Sequence, residues 1–508
     1  MVMLDKGPGV YVEELSSGVR TISGVATSIT AFLGRAQRGP VGEPVMVNSF
    51  TEFERTFGGL WLESHLGYSV RDFFAMGGGK AIIVRIHHPK STNDDGRAKL
   101  TFGSDKEQLV LSAASAGLWG SKLVATRDRK VPKPSDNPTR FNLTVTGAGR
   151  TETFLNVSRA PNEPRCVKQV LENESKLVRV SGALPTNASG LNDVEKATVT
   201  GGNDGEKITN DDVTAGLSTL DRVDLFNMLV IPPYLGDGDV GLREVDGTVL
   251  TTAIKLATKR RAVVIMDSPQ GWTDTDTVTA KLTTDTPFVD RSDNAVTYFP
   301  RICQPDPLRD GAIGTFAPSG AIAGIIAATD AQRGVWKSPA GVDAKLAGVS
   351  GLSVTLTDDN IGTLNSSGVN CLRRSPGTGG HVVWGARTIN GADAIGSEWK
   401  YLAVRRTSLF LQESLRRGLQ WVVFEPNDEP LWSQIRLNVG SFMNTLFRQG
   451  AFKGSSPREA YQVKCDSDTT TQDDIDRGVV NILVRFAPLK PAEFVVLQLQ
   501  QLAGQTSV

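Results

Sequence analysis

The sequence predicts a multidomain protein of mixed class, α/β in one part and α+β in another, and three observations carry that reading. The chain has 508 residues, more than a single hydrophobic core can organise. Between Asp211 and Arg333 apolar strands alternate with amphipathic helices, the pattern of a parallel sheet with crossover helices. From His88 to about Glu206 the pattern changes to short polar alternating runs broken by Pro, Asn, Asp and Gly, which marks a β-rich module facing water.

In chain order, Gly9 to Leu15 (GVYVEEL) reads as a lone strand, because Gly7-Pro8-Gly9 prevents a helix from starting earlier. Thr27 to Gly34 and Ala81 to Ile86 read as buried strands. Between them lie two short helices, Ser49 to Phe57 and Ser69 to Met76, the second closed by Gly77-Gly78-Gly79. Phe141 to Thr146 and Glu152 to Val157 are strands of the polar module. The α/β part follows: helix Asp211 to Leu220, strand Leu225 to Ile231, helix Gly247 to Lys259, strand Ala262 to Asp267, strand Val296 to Cys303 and helix Ser319 to Arg333.

Near the end, Val404, Leu411, Leu415, Leu419 and Val422 form one helical stripe, with Arg405, Arg406, Arg416 and Arg417 on the opposite, solvated side. A second helix opens after Pro430 and buries Leu431, Ile435, Val439, Phe442, Met443, Leu446 and Phe447 before Gly450 stops it. Two strands close the chain, Val479 to Phe486 and Phe494 to Gln500. The second has almost nothing after it to pair with.

Composition narrows the function. With 55 basic and 55 acidic residues, the chain has no overall field for gripping nucleic acid or an anionic membrane. The four cysteines, Cys166, Cys303, Cys371 and Cys465, stand far apart, which suggests buried thiols and neither a disulfide framework nor a zinc site. Residues Met1 to Lys6 precede no apolar signal region, and the run Ala321 to Ala328 is too short to span a bilayer.

Tests for chemistry mostly fail. The four histidines are His65, His87, His88 and His381, so a Ser-His-Asp site contained wholly in the α/β part is not expected. A triad borrowing His381 lacks the GxSxG elbow. Gly77-Gly78-Gly79-Lys80 departs from the phosphate-loop pattern at Phe74 and Ala81 and reads as a helix cap. The acidic cluster Asp466, Asp468, Asp473, Asp474 and Asp476 has Thr471 and Arg477 where a calcium loop needs Gly and Glu, so it reads as a polar turn. No catalytic residue, metal or cofactor is expected.

The C-terminal third carries a resemblance. HVVWGARTINGADAIGSEWKYLAVRRTSLFL (His381 to Leu411), LQESLRRGLQWVVFEPND (Leu411 to Asp428), LWSQIRLNVGSFMNTLFRQGAFKG (Leu431 to Gly454), AYQVKCD (Ala460 to Asp466) and ILVRFAPLKPAEFVV (Ile482 to Val496) together resemble the contractile tail sheath family. RGVWKSPAG (Arg333 to Gly341), PGVYVEEL (Pro8 to Leu15) and the run Phe32 to Gly59 fit the same family, and GLWGSKLVAT (Gly117 to Thr126) fits it weakly.

The resemblance implies an inner α+β domain made from both chain ends, a middle α/β module of subtilisin-like, non-catalytic fold, and a β-rich outer insertion. Expected boundaries are an N-terminal arm 1–26, a first core segment 27–88, the insertion 89–205, the α/β domain 206–345, the conserved inner domain 346–490 and a C-terminal arm 491–508. It further implies a subunit that stacks, as hexameric rings in a helical polymer, around a tail tube. Baseplate and tail terminator proteins are the other expected partners, with no nucleic acid and no membrane insertion. The expected location is a virion or injection particle assembled in a bacterial cytoplasm.

Sheaths of this family are knitted by strand exchange. Here the expected donors are Val10, Tyr11, Val12, Glu13, Glu14 and Leu15 at one end and Phe494, Val495, Val496, Leu497, Gln498 and Leu499 at the other, since a lone strand is stable only on a sheet edge, its own or a partner's. Tube contact is expected at Arg436, Arg448 and Lys453, with the arginines at 405, 406, 416 and 417 as rivals. A secretion sheath of the type VI kind and a hydrolase on the α/β module are the alternatives.

Overall fold

The protein is described from a computed structural model, which covers residues 20–103, 108–133, 138–184, 194–235, 244–285, 288, 290–375, 377, 379–494 and 498. The chain divides into two compact units: residues 26–405 form one, and the two ends, 1–25 with 406–508, form the other.

The larger unit is organised by an eight-stranded sheet. From one edge to the other its strands are His381–Trp384, Asn370–Arg374, Ala295–Phe299, Val263–Asp267, Met228–Val230, Thr30–Gly34, Ala81–Arg85 and Pro44–Val47. The six inner strands run parallel and the two edge strands antiparallel. Ala81–Arg85, Val263–Asp267 and Ala295–Phe299 are buried along their whole length, as strands covered on both faces must be. On one face Ala31, Leu33, Val84 and Val264 pack with Val213, Leu217 and Ala253 from helices Asn210–Thr219 and Gly247–Arg260. On the other lie helices Leu66–Ala75 and Ser319–Arg333, with the Phe32 and Phe73 rings 5.4 Å apart, edge to face.

Those last two helices approach unusually closely, and two glycines one turn apart allow it. A Cβ on Gly320 would lie 2.2 Å from the carbonyl oxygen of Ser69, and one on Gly324 would lie 2.4 Å from that of Phe73. Backbone fills the space a side chain would need.

The polar module is a pair of four-stranded sheets. One contains Val194–Lys196, Val124–Asp128, Arg140–Gly147 and Arg150–Ser158; the other contains Thr198–Gly201, Ala98–Phe102, Leu109–Ala113 and Val178–Val180. Leu100, Phe102, Leu111, Phe141, Leu143 and Val145 fill the space between them, with Val170 and Leu171 of helix Val167–Glu174. The two-residue turn Ala148-Gly149 has both φ angles positive, at 51° and 75°, the geometry that matches the twist of a tight hairpin. Arg85, fully buried, joins module and sheet: its guanidinium donates to the carbonyls of Ala36 at 2.9 Å, Gly39 at 2.7 Å and Ala116 at 2.9 Å. Burial lowers its pKa to about 10.

Several expectations change. The sheet draws strands from 27–88, 206–345 and 346–490, so boundaries at 88 and 345 would cut through it, whereas the observed division falls between Arg405 and Arg406. Asn370–Arg374 and His381–Trp384 were not expected as strands. The segment Val296 to Cys303 divides into Ala295–Phe299 and Ile302–Pro305, in two different sheets, around Pro300, which has no N–H to give to a ladder. Strand Val10 to Leu15 lies outside the described residues.

Candidate functional site

The smaller unit brings the two ends of the chain together. Helix Leu402–Gly418 contributes its residues from Arg406 onward, and helix Glu429–Arg448 lies beside it, with the Phe410 and Phe442 rings 6.3 Å apart. Residues 20–25 cross this pair. The backbone N–H of Val25 donates to Ser414 Oγ at 3.1 Å, and the Arg20 guanidinium stacks 4.7 Å from the centre of the Trp421 ring. Buried Ile22 sits against Gly418, where a Cβ would come within 2.6 Å of it. A Cβ on Gly24 would come within 2.9 Å of the Phe410 ring.

Helix Glu429–Arg448 begins where its sequence says it should. The Asp428 side chain accepts from the Leu431 N–H at 3.2 Å, and Pro430 occupies the first turn, where no N–H is needed. Leu431, Trp432, Ile435, Val439, Phe442, Met443 and Leu446 are buried. The opposite face exposes Gln434, Leu437, Ser441, Thr445 and Arg448.

Beside this helix lies a two-stranded antiparallel sheet, Tyr461–Lys464 with Leu483–Phe486, and Tyr461 Oη donates to the Gly440 carbonyl at 3.4 Å. Among the described residues no third strand joins it, while just beyond the second strand Phe452 bridges to Pro488 and the Lys453 N–H donates to the Ala487 carbonyl at 2.9 Å. The second strand is shorter than the expected Val479 to Phe486. Beyond it, Phe494 is exposed and in no strand, as is Gln498; Val495, Val496, Leu497 and Leu499 lie outside the described residues. Between the strands the acidic cluster serves the backbone and neighbouring cations. Asp474 forms a capping box with Thr471 at the start of Gln472–Asp476, and Asp468 pairs with Lys464 at 2.7 Å.

The expected basic residues separate into two kinds. Arg436 is engaged within its own molecule: it pairs with Glu429 at 2.5 Å and donates to the Cys465 carbonyl. Arg448 and Lys453 are exposed, with no ion pair among the described residues. The rival arginines form a solvated face only in part, Arg416 alone of the four being exposed. Arg406 is buried, and Arg405 donates to Asn294 Oδ1 at 2.7 Å while stacking on Trp399. Arg416 and Arg417 both clasp the buried Glu413, each at 2.7 Å. Burial alone would raise the Glu413 pKa, but the hydrogen bonds from the two arginines outweigh it and bring it to about 2. Side chains that look solvated by helical periodicity are held because the helix is packed on more than one side.

In the larger unit one constellation has the elements of hydrolytic chemistry. Ser319, first residue of its helix, donates its hydroxyl to Asp267 Oδ2 at 2.7 Å and its N–H to Oδ1 at 2.8 Å. His65 belongs to the same unit, preceding helix Leu66–Ala75 with its ring 6.5 Å from that of Phe316, so counting histidines within 206–345 does not dispose of a triad. Burial does. Ser319 is fully buried and its hydroxyl proton is committed to the carboxylate, which leaves no access for a substrate.

By class this is a two-unit chain, a mostly parallel sheet with helices on both faces in one unit and a helix pair with a two-stranded sheet in the other. Family models for the phage tail sheath protein central domain and the phage tail sheath C-terminal domain match residues 206–389 and 396–501. The chain belongs to the phage tail sheath family. It is 27% identical over 184 residues to a protein of Pseudomonas aeruginosa (strain UCBPP-PA14) described as a prophage major tail sheath protein. That match covers 35% of this chain and 44% of the relative, so the chain spans less than half the length of the curated relative it matches.

The fold is that of solved sheaths. The sheath of an extracellular contractile injection system, PVC, in its contracted state aligns with a TM-score of 0.60 at 22% identity, over 98% of this chain and 99% of the other. A sheath tail protein of Listeria innocua aligns with a TM-score of 0.64 at 16% identity, over 92% and 96%. Among the described residues no helix is long and apolar enough to cross a membrane.

Proposed function

We propose that this chain is the repeating subunit of a contractile tail sheath, which polymerises around a tube in an extended, metastable state and contracts to drive the tube through a target envelope. The observation that carries this reading is the two-stranded sheet that no third strand joins among the described residues, in the unit built from both end segments of the chain. An open edge is a row of unpaired donors and acceptors, and a strand added from another subunit satisfies them.

In this reading Val10, Tyr11, Val12, Glu13, Glu14 and Leu15 at one end, and Phe494, Val495, Val496, Leu497, Gln498 and Leu499 at the other, are the donated arms. Tube contact falls to Arg448 and Lys453. Arg436 positions the helix through Glu429 and Cys465 and is dropped from the contact. The partners are further copies in stacked hexameric rings, the tube, and baseplate and terminator proteins at the two ends of the polymer. The location is an injection particle or virion assembled in a bacterial cytoplasm. The parallel sheet with helices on both faces supports a subtilisin-like description of the larger unit, with Ser319 and Asp267 structural.

Contraction needs no nucleotide in this scheme. At about 25 cal/mol per Å², ~200 Å² of additional apolar burial per subunit releases roughly 5 kcal/mol, multiplied along the polymer. Negative-stain microscopy of the purified chain tests the proposal: hollow striated cylinders are expected, and a protein that stays monomeric at high concentration refutes it.

A further inference from the structure

We propose that Phe424 is an anchor through which one copy of this chain docks on a second copy, its ring seated at the basic far end of the next molecule's Glu429–Arg448 helix. The proposal rests on the sheath reading and names a contact distinct from the arms.

Phe424 is fully exposed, Val423 beside it is 64% exposed, and Phe424 has φ of +73°. A whole aromatic ring in water forfeits its burial, and a residue with a Cβ resists left-handed backbone. Nothing among the described residues repays either cost. The loop is nevertheless held firmly. Trp421 on one side is stacked by Arg20, and the Asn427 side chain on the other donates to the Val479 carbonyl at 3.0 Å and accepts from Trp432 Nε1 at 2.8 Å. Asp428 then caps the helix. The aromatic ring is thus presented from a fixed base, the arrangement of an interface anchor.

Charge identifies the occupant. Around Phe424 the exposed carboxylates are Glu425, Asp428 and Glu429, the last paired with Arg436, against one exposed cation, Arg20, that is stacked on Trp421. At the other end of the Glu429–Arg448 helix, ~30 Å away at 1.5 Å per residue, the exposed cations beyond the tube-facing Arg448 and Lys453 are Arg458 and Lys490, and the Glu459 carboxylate there is engaged by the Ser455 N–H and hydroxyl. Arg458 lies in helix Pro457–Ala460, which packs there, and Lys490 follows Pro488, which bridges to Phe452; both are exposed and have no ion pair among the described residues. The acidic and basic ends are too far apart to meet within one molecule. A contact between unlike patches of identical copies is heterologous, and repeated it builds an open helical array, the symmetry a sheath requires.

The test uses the full-length chain, reading the critical concentration for assembly by sedimentation and the melting temperature of unassembled protein. Phe424→Gly is expected to melt no lower than wild type, since Gly adopts φ of +73° freely, while its critical concentration rises about tenfold or more. Glu425→Arg alone and Arg458→Glu with Lys490→Glu are each expected to weaken assembly, and the three together to restore it to within about threefold. Assembly of Phe424→Gly at the wild-type concentration overturns the anchor. So does a lowered melting temperature, which would put the ring to work inside its own molecule. Normal self-assembly with loss only on tubes would make the tube the occupant and overturn the proposal too, and failure of the charge exchange to restore assembly refutes the assigned receiving end. A wild type forming closed oligomers sinks the sheath reading alone, with the anchor still judged by whether Phe424→Gly weakens that association; a wild type monomeric throughout overturns both.

Discussion

Ser319 donates twice to Asp267, hydroxyl and backbone N–H together, and so fastens the start of a helix to the end of a central strand where both residues are buried. Burial raises the Asp267 pKa to about 6, although the Ser319 hydrogen bonds and the nearby Arg301 oppose the rise. A carboxyl whose folded pKa exceeds its unfolded value stabilises the fold in its protonated form. The contribution is complete below about 4 and is lost as pH rises through about 6, on the order of 3 kcal/mol for a shift of about two units. Asp267→Asn removes this dependence. Wild type should therefore lose stability relative to the variant between pH 4 and 6.5 in parallel thermal melts, and a constant difference would refute the assignment.

The two helix-facing glycines give a steric prediction. Gly320→Val and Gly324→Val push side chains into the backbone at Ser69 and Phe73, so the helices must separate. Each substitution is expected to cost about 3 kcal/mol in denaturant unfolding, at the upper end for overpacked cores. Gly440→Ala, where a Cβ meets nothing within 4 Å, should cost nothing or stabilise slightly.

In the smaller unit, Ser414→Ala removes the acceptor for the Val25 N–H. The loss is expected to be about 1 kcal/mol and local. Hydrogen exchange at the Val25 amide should accelerate several-fold while the melting temperature scarcely moves; protection equal to wild type would mean the hydrogen bond does not hold the segment.

Deleting residues 1–18 or 491–508 should leave a folded monomer that cannot polymerise, read by circular dichroism and sedimentation. Normal cylinders from either truncation would end the strand-exchange account.

Charge reversal distinguishes tube contact from internal support. Arg448→Glu with Lys453→Glu should leave the melting temperature within a degree or two and stop sheath forming on tubes, because neither residue has an ion-pair partner among the described residues. Arg416→Glu with Arg417→Glu should instead destabilise the chain, since it sets carboxylates in place of the two cations that clasp the buried Glu413. If the first pair destabilises and the second only weakens tube binding, the assignment is reversed.

Local signals were legible where they were strong. Helix Ser319–Arg333 follows Pro318 and ends at Gly334, and it has the bounds its sequence indicates. Ser49 caps the Phe50–Phe57 helix as its position suggests. What escaped depended on distance along the chain. Asn370–Arg374 is a strand because Tyr298 and Phe299 offer it a partner some 70 residues earlier, and its own sequence alternates too weakly to show this. The arginines of Leu402–Gly418 follow helical periodicity, but which face meets water is settled by tertiary neighbours, here on more than one side. Phe424 escaped for the same reason: a run of Trp421, Val422, Val423 and Phe424 reads as core until the fold turns two of them outward.

The hydrogen bond from Val25 to Ser414 also imposes an order on synthesis. Residues 26–405 form a continuous stretch that can fold while the remainder is still being translated, but residues 20–25 have no docking site until the helix beyond Arg406 has emerged. The earliest part of the smaller unit must wait for the last. A chain interrupted between strand His381–Trp384 and that helix therefore has every strand of its large sheet and an end unit that cannot yet form.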